Sequence, residues 1–139
     1  MELLHATVVE WQGKGIMIMG PPGAGKSDLA LRLIDAGGIL VGDDYVNISK
    51  EKDRLIARPA ENIAGLMEVR GVGLVHMAYK KQAGLDLVLD LKAERSAIER
   101  LPEAAYFERL GVRLPRLEFY AFEVSAVAKL RCAIDFFNL

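Results

Sequence analysis

Eight consecutive residues, Gly20-Pro21-Pro22-Gly23-Ala24-Gly25-Lys26-Ser27, fit the pattern G-x-x-x-x-G-K-[ST], the arrangement of a phosphate-binding loop. Glycines let successive backbone N–H groups turn toward a phosphate with no Cβ in the way. A helix that starts at the end of such a loop adds its unpaired amides and the positive end of its dipole to the same anion. Lys26 supplies a mobile charge for the outer phosphates, and the Ser27 hydroxyl can ligate Mg²⁺. The chemistry implied is binding of a nucleoside triphosphate, with Mg²⁺ as an expected companion.

Binding alone does not define the acceptor of a phosphoryl group. Eighteen residues after Lys26 stands Asp44, paired with Asp43; an acid there can hold Mg²⁺ through water or take a proton from an attacking hydroxyl. The same pair can equally be a turn that caps the next element. Asp90, closing the run Leu85-Asp86-Leu87-Val88-Leu89, is a second candidate for the acid on the metal side, and pattern alone does not choose between them. Glu68-Val69-Arg70-Gly71-Val72-Gly73 gathers a carboxylate, a guanidinium and two glycines. Glu68 could complete metal binding and Arg70 could neutralise phosphoryl charge, beside the plainer reading of a salt bridge next to a turn. An N-K-x-D base-reading motif is absent, which argues against a GTPase. The length leaves little room for the arginine-bearing lid of an adenylate-kinase-like enzyme.

These groups need elements to hold them. The apolar run Ile16-Met17-Ile18-Met19 predicts a buried strand leading into the loop, and Leu29, Ala30, Leu33 and Ile34 recur at helical spacing after it. Residues 4–11 read as one strand, 39–41 as a buried strand ending at the aspartate pair, and 46–48 with 54–57 as a hairpin. Residues 72–77 and 85–91 read as further strands. Short helices are expected at 61–67, 96–101 and 104–110, and a longer one at 124–137 with Val124, Val127, Ala128, Arg131 and Ile134 on one face. The expected fold class is α/β: a P-loop kinase domain with a central mixed sheet, flanking helices and both sheet faces covered.

Composition sets the outer limits. The 139 residues suit a single domain spanning 1–139, and a 52% hydrophobic, 27% charged composition fits a real core. Eighteen basic against nineteen acidic residues leave a net charge of −1, too little for a nucleic-acid coat or a polybasic membrane anchor. With one cysteine, no zinc-type Cys/His cluster, no leader-like start and no long apolar span, a cytoplasmic protein is expected. Cys132 and most aromatics read as core, His76 as a core or edge residue. The apolar end Phe136-Phe137-Asn138-Leu139 reads as a surface for a neighbouring subunit.

Taken together, the loop, the aspartate pair, the Glu-x-Arg-Gly segment and an upstream histidine resemble the catalytic domain of bacterial HPr kinase/phosphorylases, in a short form without the family's N-terminal domain. The family's histidine precedes the first loop glycine by fifteen residues, as His5 precedes Gly20 here, and its catalytic aspartate falls on Asp44. Its E-I-R-G-x-G signature falls on the segment from Glu68 to Gly73, which includes Arg70 and Gly71. The resemblance implies that Glu68 and Ser27 are the Mg²⁺ ligands. A catalytic arginine in a D-R-L-G context falls on Arg109. A V-R-P-G-R-N segment before the family's C-terminal helix has its closest match in Val112-Arg113-Leu114-Pro115-Arg116-Leu117, where Pro-Gly and Asn are lost.

The resemblance implies an ATP-dependent serine kinase acting on an HPr-like phosphocarrier of the sugar phosphotransferase system, working as a homo-oligomer, a hexamer by the family pattern. Asp44 would be the base in the kinase direction and the acid in a phosphorolytic reverse direction, with His5 beside it. Two other readings share the loop: a kinase for a small metabolite, and a nucleotide sensor that signals without transfer.

Overall fold

Strands buried from both sides form the centre of the molecule, and a computed structural model describes all 139 residues. In chain order the strands are β1 (Glu2–His5), β2 (Thr7–Trp11), β3 (Lys14–Met19), β4 (Ile39–Gly42), β5 (Tyr45–Glu51) and β6 (Arg54–Pro59). They continue as β7 (Leu66–Val69), β8 (Gly73–His76), β9 (Ala83–Leu91), β10 (Ala105–Arg109) and β11 (Val112–Phe119). Two helices complete the fold, α1 (Lys26–Asp35) after β3 and α2 (Ala126–Phe136) at the end.

Nine of the strands share one mixed sheet that branches at β9. The later part of β9 lies between β3 and β11, parallel to both. Its first residues, Ala83 and Gly84, pair instead with β6, which leads through β5 to β1. A register shift falls between these regions: Gly15 faces Leu85 but Ile16 faces Leu87, so Asp86 is the extra residue of a bulge. Its carboxylate accepts the Gly15 N–H at 2.9 Å and pairs with Arg54 at 3.0 Å. The bulge sends Leu85 into one core and Leu87 into the other.

The expected mixed sheet is present, but the helices do not flank it on both sides. Both pack on one face, where Leu29, Leu33, Leu130 and Ile134 meet Ile16, Ile18, Leu87 and Leu89. The other face, with Met17, Leu85 and Val88, is covered by strands through Leu4, Ile48, Leu55 and Phe107. The change of partner along β9 lets the β1–β5–β6 layer fold across that face.

Several local expectations give way to tertiary pairing. Residues 61–67 form turns and the start of β7 rather than a helix, because Asn62 (φ 70°) and Gly65 (φ 77°) take left-handed backbone. Residues 104–110 form β10, whose buried Phe107 is flanked by exposed neighbours as it pairs with β11. The expected helix at 96–101 reduces to one 3₁₀ turn, Arg95–Ala97, with nothing buried. The single strand expected at 4–11 is broken at Ala6, where the chain leaves β5 and joins β3 and β4. On α2 the buried face is Ala126, Leu130, Ala133 and Ile134; Val124 precedes the helix and is exposed, as is Cys132.

Candidate active site

The loop 20–25 joins the end of β3 to α1. At Gly20 (φ 148°) a Cβ would come within 2.8 Å of the Leu91 carbonyl oxygen, so the loop lies hard against the end of β9. Gly25 caps α1 in left-handed conformation, φ 100°. The first helical bond runs from the Leu29 N–H to the Gly25 carbonyl at 2.9 Å. The amides of Gly25, Lys26, Ser27 and Asp28 have no backbone acceptor, which leaves a cluster of donors at the positive end of the helix. The Lys26 ammonium folds back over the loop, donating to the carbonyls of Gly20 at 2.7 Å and Pro21 at 3.1 Å.

The two adjacent aspartates face different ways. Asp43 is buried, 6% exposed, and one carboxylate oxygen accepts from Ser27 Oγ at 2.8 Å and Thr7 Oγ1 at 2.9 Å. Asp44 sits at the tip of a tight turn with φ 70°, in which the Tyr45 N–H donates to the Asp43 carbonyl at 2.8 Å. The break at Ala6 completes this turn, since its N–H donates to the Asp44 carbonyl at 3.0 Å. The Asp44 side chain is 66% exposed and lies 2.9 Å from His5 Nε2, and the imidazole stacks on Tyr45 with centroids 5.0 Å apart. Strained backbone of this kind, held by surrounding bonds, fixes a carboxylate without burying it.

A cavity of about 680 Å³ joins these groups, lined by His5, Lys26, Ser27, Asp43, Asp44 and Glu68 among others. The β7–β8 hairpin forms another wall: Met67 is anchored in the core, while Glu68 and Arg70 line the cavity and Gly71 (φ 86°) makes the turn. Pro22, Gly23 and Gly25 belong to the lining too. His5, the loop, both aspartates, Glu68 and Arg70 therefore come together.

Arg109 does not join them. It lines a second cavity of about 420 Å³ with Gly20, Asp90, Glu108 and Arg116, 3.5 Å from the Glu2 carboxylate and over the Phe107 ring at 5.0 Å. Asp90 is held there by Arg116 at 3.2 Å and Lys92 at 3.3 Å. Hydrogen bonds to Glu118 and then Asp90 raise the Lys92 ammonium above its ordinary value of 10.5. Of the two acids left open by the pattern, Asp43 is the one against Ser27. The stretch 112–117 is part of β11, with Arg113 over the Tyr106 ring at 3.8 Å. The residues that directly precede α2 are Tyr120, Ala121, Phe122, Glu123, Val124 and Ser125, without an arginine.

Two cavity-shaping residues carry no signal in residue type. Thr7 anchors Asp43 from a strand whose sequence shows only β propensity. Phe122, grouped with the packing aromatics, is 50% exposed on the cavity wall. No group of three His, Cys, Asp or Glu side chains is arranged to hold a metal. The paired oxygens of Ser27 and Asp43 nevertheless suit Mg²⁺, which takes one or two protein oxygens and completes its shell with water and phosphate.

The chain matches the model of the HPr Serine kinase C-terminal domain over residues 1–131. It is 36% identical over 124 residues to an HPr kinase/phosphorylase of Caldicellulosiruptor bescii, covering 81% of this chain and 40% of that protein. With the HPr kinase/phosphorylase of Clostridium tetani it shares 38% identity over 111 residues, 78% of this chain and 36% of the other. It thus spans about 40% of the length of these relatives. The fold superimposes on the Hpr(Ser) kinase/phosphatase of Coxiella burnetii with a TM-score of 0.82 at 22% identity, covering 99% of this chain and 95% of that one. No helix is long and apolar enough to cross a membrane. With the family pattern matched along nearly all of its residues, the chain belongs to the HPr serine kinase C-terminal domain family.

Proposed function

We propose that this chain is an ATP-dependent protein serine kinase whose acceptor is an HPr-like phosphocarrier. The observation that carries the reading is the joining, in one cavity, of unpartnered loop amides and Lys26 with the Ser27–Asp43 pair and the exposed His5–Asp44 pair. The loop amides and Lys26 hold the triphosphate. Mg²⁺, when bound, supplies neutralising charge at the phosphates, with Ser27, Asp43 and Glu68 as the oxygens offered to it. Asp44 takes the proton of the acceptor serine as its oxygen bonds to the γ-phosphorus. The bond from that phosphorus to the bridging oxygen breaks, and ADP leaves. His5 orients the Asp44 carboxylate, and the exposure of Asp44 leaves room for an acceptor the size of a protein loop. Most of the acceleration comes from positioning and charge neutralisation.

Arg109 enters from the family pattern; to reach a phosphoryl group it must leave Glu2. The reading is of the kinase direction: the stretch matched to V-R-P-G-R-N keeps Arg113 and Arg116 but loses Pro-Gly and Asn, and it lies in β11 rather than directly before α2. A homo-oligomer belongs to the reading as well, supported by Phe136, which is 81% exposed at the end of α2. The test is incubation with γ-labelled ATP, Mg²⁺ and a phosphocarrier. Label on a carrier serine supports the reading. Label on a small molecule, or none transferred, would replace it with a metabolite kinase or a nucleotide sensor.

A further inference from the structure

The β11–α2 connection places a half-exposed aromatic ring against the phosphate loop. A Cβ on Gly25 would fall 2.8 Å from Phe122 Cζ, so the ring edge rests on the loop backbone. The chain is pinned on both sides of this residue. Arg32 donates to the Ala121 carbonyl, and the Glu123 carboxylate, 11% exposed, is held by Arg95 and Lys129. Tyr120 packs edge-on to Phe122 with centroids 6.0 Å apart. A half-exposed ring between two anchored residues is pre-organised for a ligand, since little ordering entropy remains to be lost on binding.

Its location indicates which part of a nucleotide it meets. At about 100° per residue, Arg32 stands roughly 140° around α1 from Ser27. Ser27 faces Asp43 and, beyond it, Asp44, whereas Arg32 faces the Phe122 connection. The transfer end and the aromatic end therefore lie on different flanks of the helix N-terminus, within one cavity that Asp44, Gly25 and Phe122 all line. A triphosphate with its γ-phosphate toward Asp44 points its nucleoside to the other flank.

We propose that Phe122 is the stacking platform for the purine base of the bound nucleotide. This rests on the nucleotide-binding reading above and adds the residue that separates a nucleotide from a bare polyphosphate. Base–aromatic stacking is lost as a sizeable affinity term on alanine substitution. Calorimetry on the intact chain with Mg²⁺ compares ATP with inorganic tripolyphosphate. Phe122→Ala is expected to weaken ATP about 10- to 100-fold while tripolyphosphate stays within about twofold, and Phe122→Tyr to keep ATP near the wild-type affinity. Unchanged ATP affinity in Phe122→Ala, with tripolyphosphate still bound, would overturn the platform alone. Equal weakening of both ligands would reassign Phe122 to support of the loop. Failure of the wild-type chain to bind either ligand would overturn the nucleotide reading itself, and the platform with it.

Discussion

Two cavities draw on the same loop, one through Gly20 and the other through Pro22, Gly23 and Gly25, and handle charge in opposite ways. Around Asp90 most charged groups already have a partner: Arg116 and Lys92 on the carboxylate, Glu118 on Lys92, Glu2 on Arg109, with the Glu108 carboxylate left unpaired. On the other side of the loop, amides point outward without acceptors, Lys26 rests on carbonyls, and Asp44 is met only by an imidazole. The first arrangement largely neutralises itself within the fold; the second leaves its donors open to a ligand. Residue type alone does not distinguish them, since both sides contain an aspartate at a strand end and basic side chains. What separates them is whether the fold has already satisfied the charges.

The largest expected effect follows from Asp44. Asp44→Asn should lower phosphoryl transfer by about 10²–10⁴-fold, the range for a positioned proton acceptor, while ATP affinity by calorimetry stays within a few-fold. Normal transfer by this variant would remove the contrast between the cavities. Lys26→Ala should weaken both ATP binding and turnover; unchanged values in both assays would separate the loop from the chemistry.

Asp43 tests the structural side of the same cavity. Asp43→Ala leaves the Thr7 and Ser27 hydroxyls without their common acceptor, at a cost of about 1–3 kcal/mol for the buried groups. Thermal melting should register it as a fall of about 3–10 °C. Asp90→Asn sharpens the comparison from the other cavity. Its partners are partly exposed, so stability should change by no more than about 1 kcal/mol, and transfer rate should stay within about threefold.

The smallest effect concerns the connection that carries Phe122. The Lys129 hydrogen bond, and then the charges of Lys129 and Arg95, hold the Glu123 carboxyl below its ordinary value of 4.5. A carboxyl with a lowered native pKa stabilises the fold fully above its unfolded value and loses that contribution as pH falls through the native one. Glu123→Gln should therefore melt about 1–3 °C lower than wild type near pH 7, with the gap closing in acid as the native carboxyl is protonated, below its ordinary value of 4.5. A gap that persists in acid would point to packing rather than charge.

Much of the site was legible because its chemistry is local in sequence. The loop 20–27 is marked by its glycine spacing, and the strand expected before it and the helix expected after it are both present as β3 and α1. Asp44 and His5 were located by spacing against a family pattern, and the fold brings them to 2.9 Å. What escaped depends on long-range pairing. β10 has a helical composition but becomes a strand because β11 supplies its partner. The bulge at Asp86 and the crossing of the chain at Ala6 arise from changes of strand partner that no local pattern records. The same reason hides Thr7, whose hydroxyl matters only once β2 lies beside the aspartate turn. Arg109 shows the reverse case, matched by its neighbours in sequence yet set by the fold against Glu2.

The central claim is that the donor-rich side of the loop is a Mg²⁺-dependent nucleotide site feeding Asp44. Titration of ATP into the purified chain by calorimetry, with Mg²⁺ and then with EDTA, tests it most directly. Saturable binding at one site per chain that weakens sharply without Mg²⁺ is the predicted result; no heat of binding under either condition would contradict it.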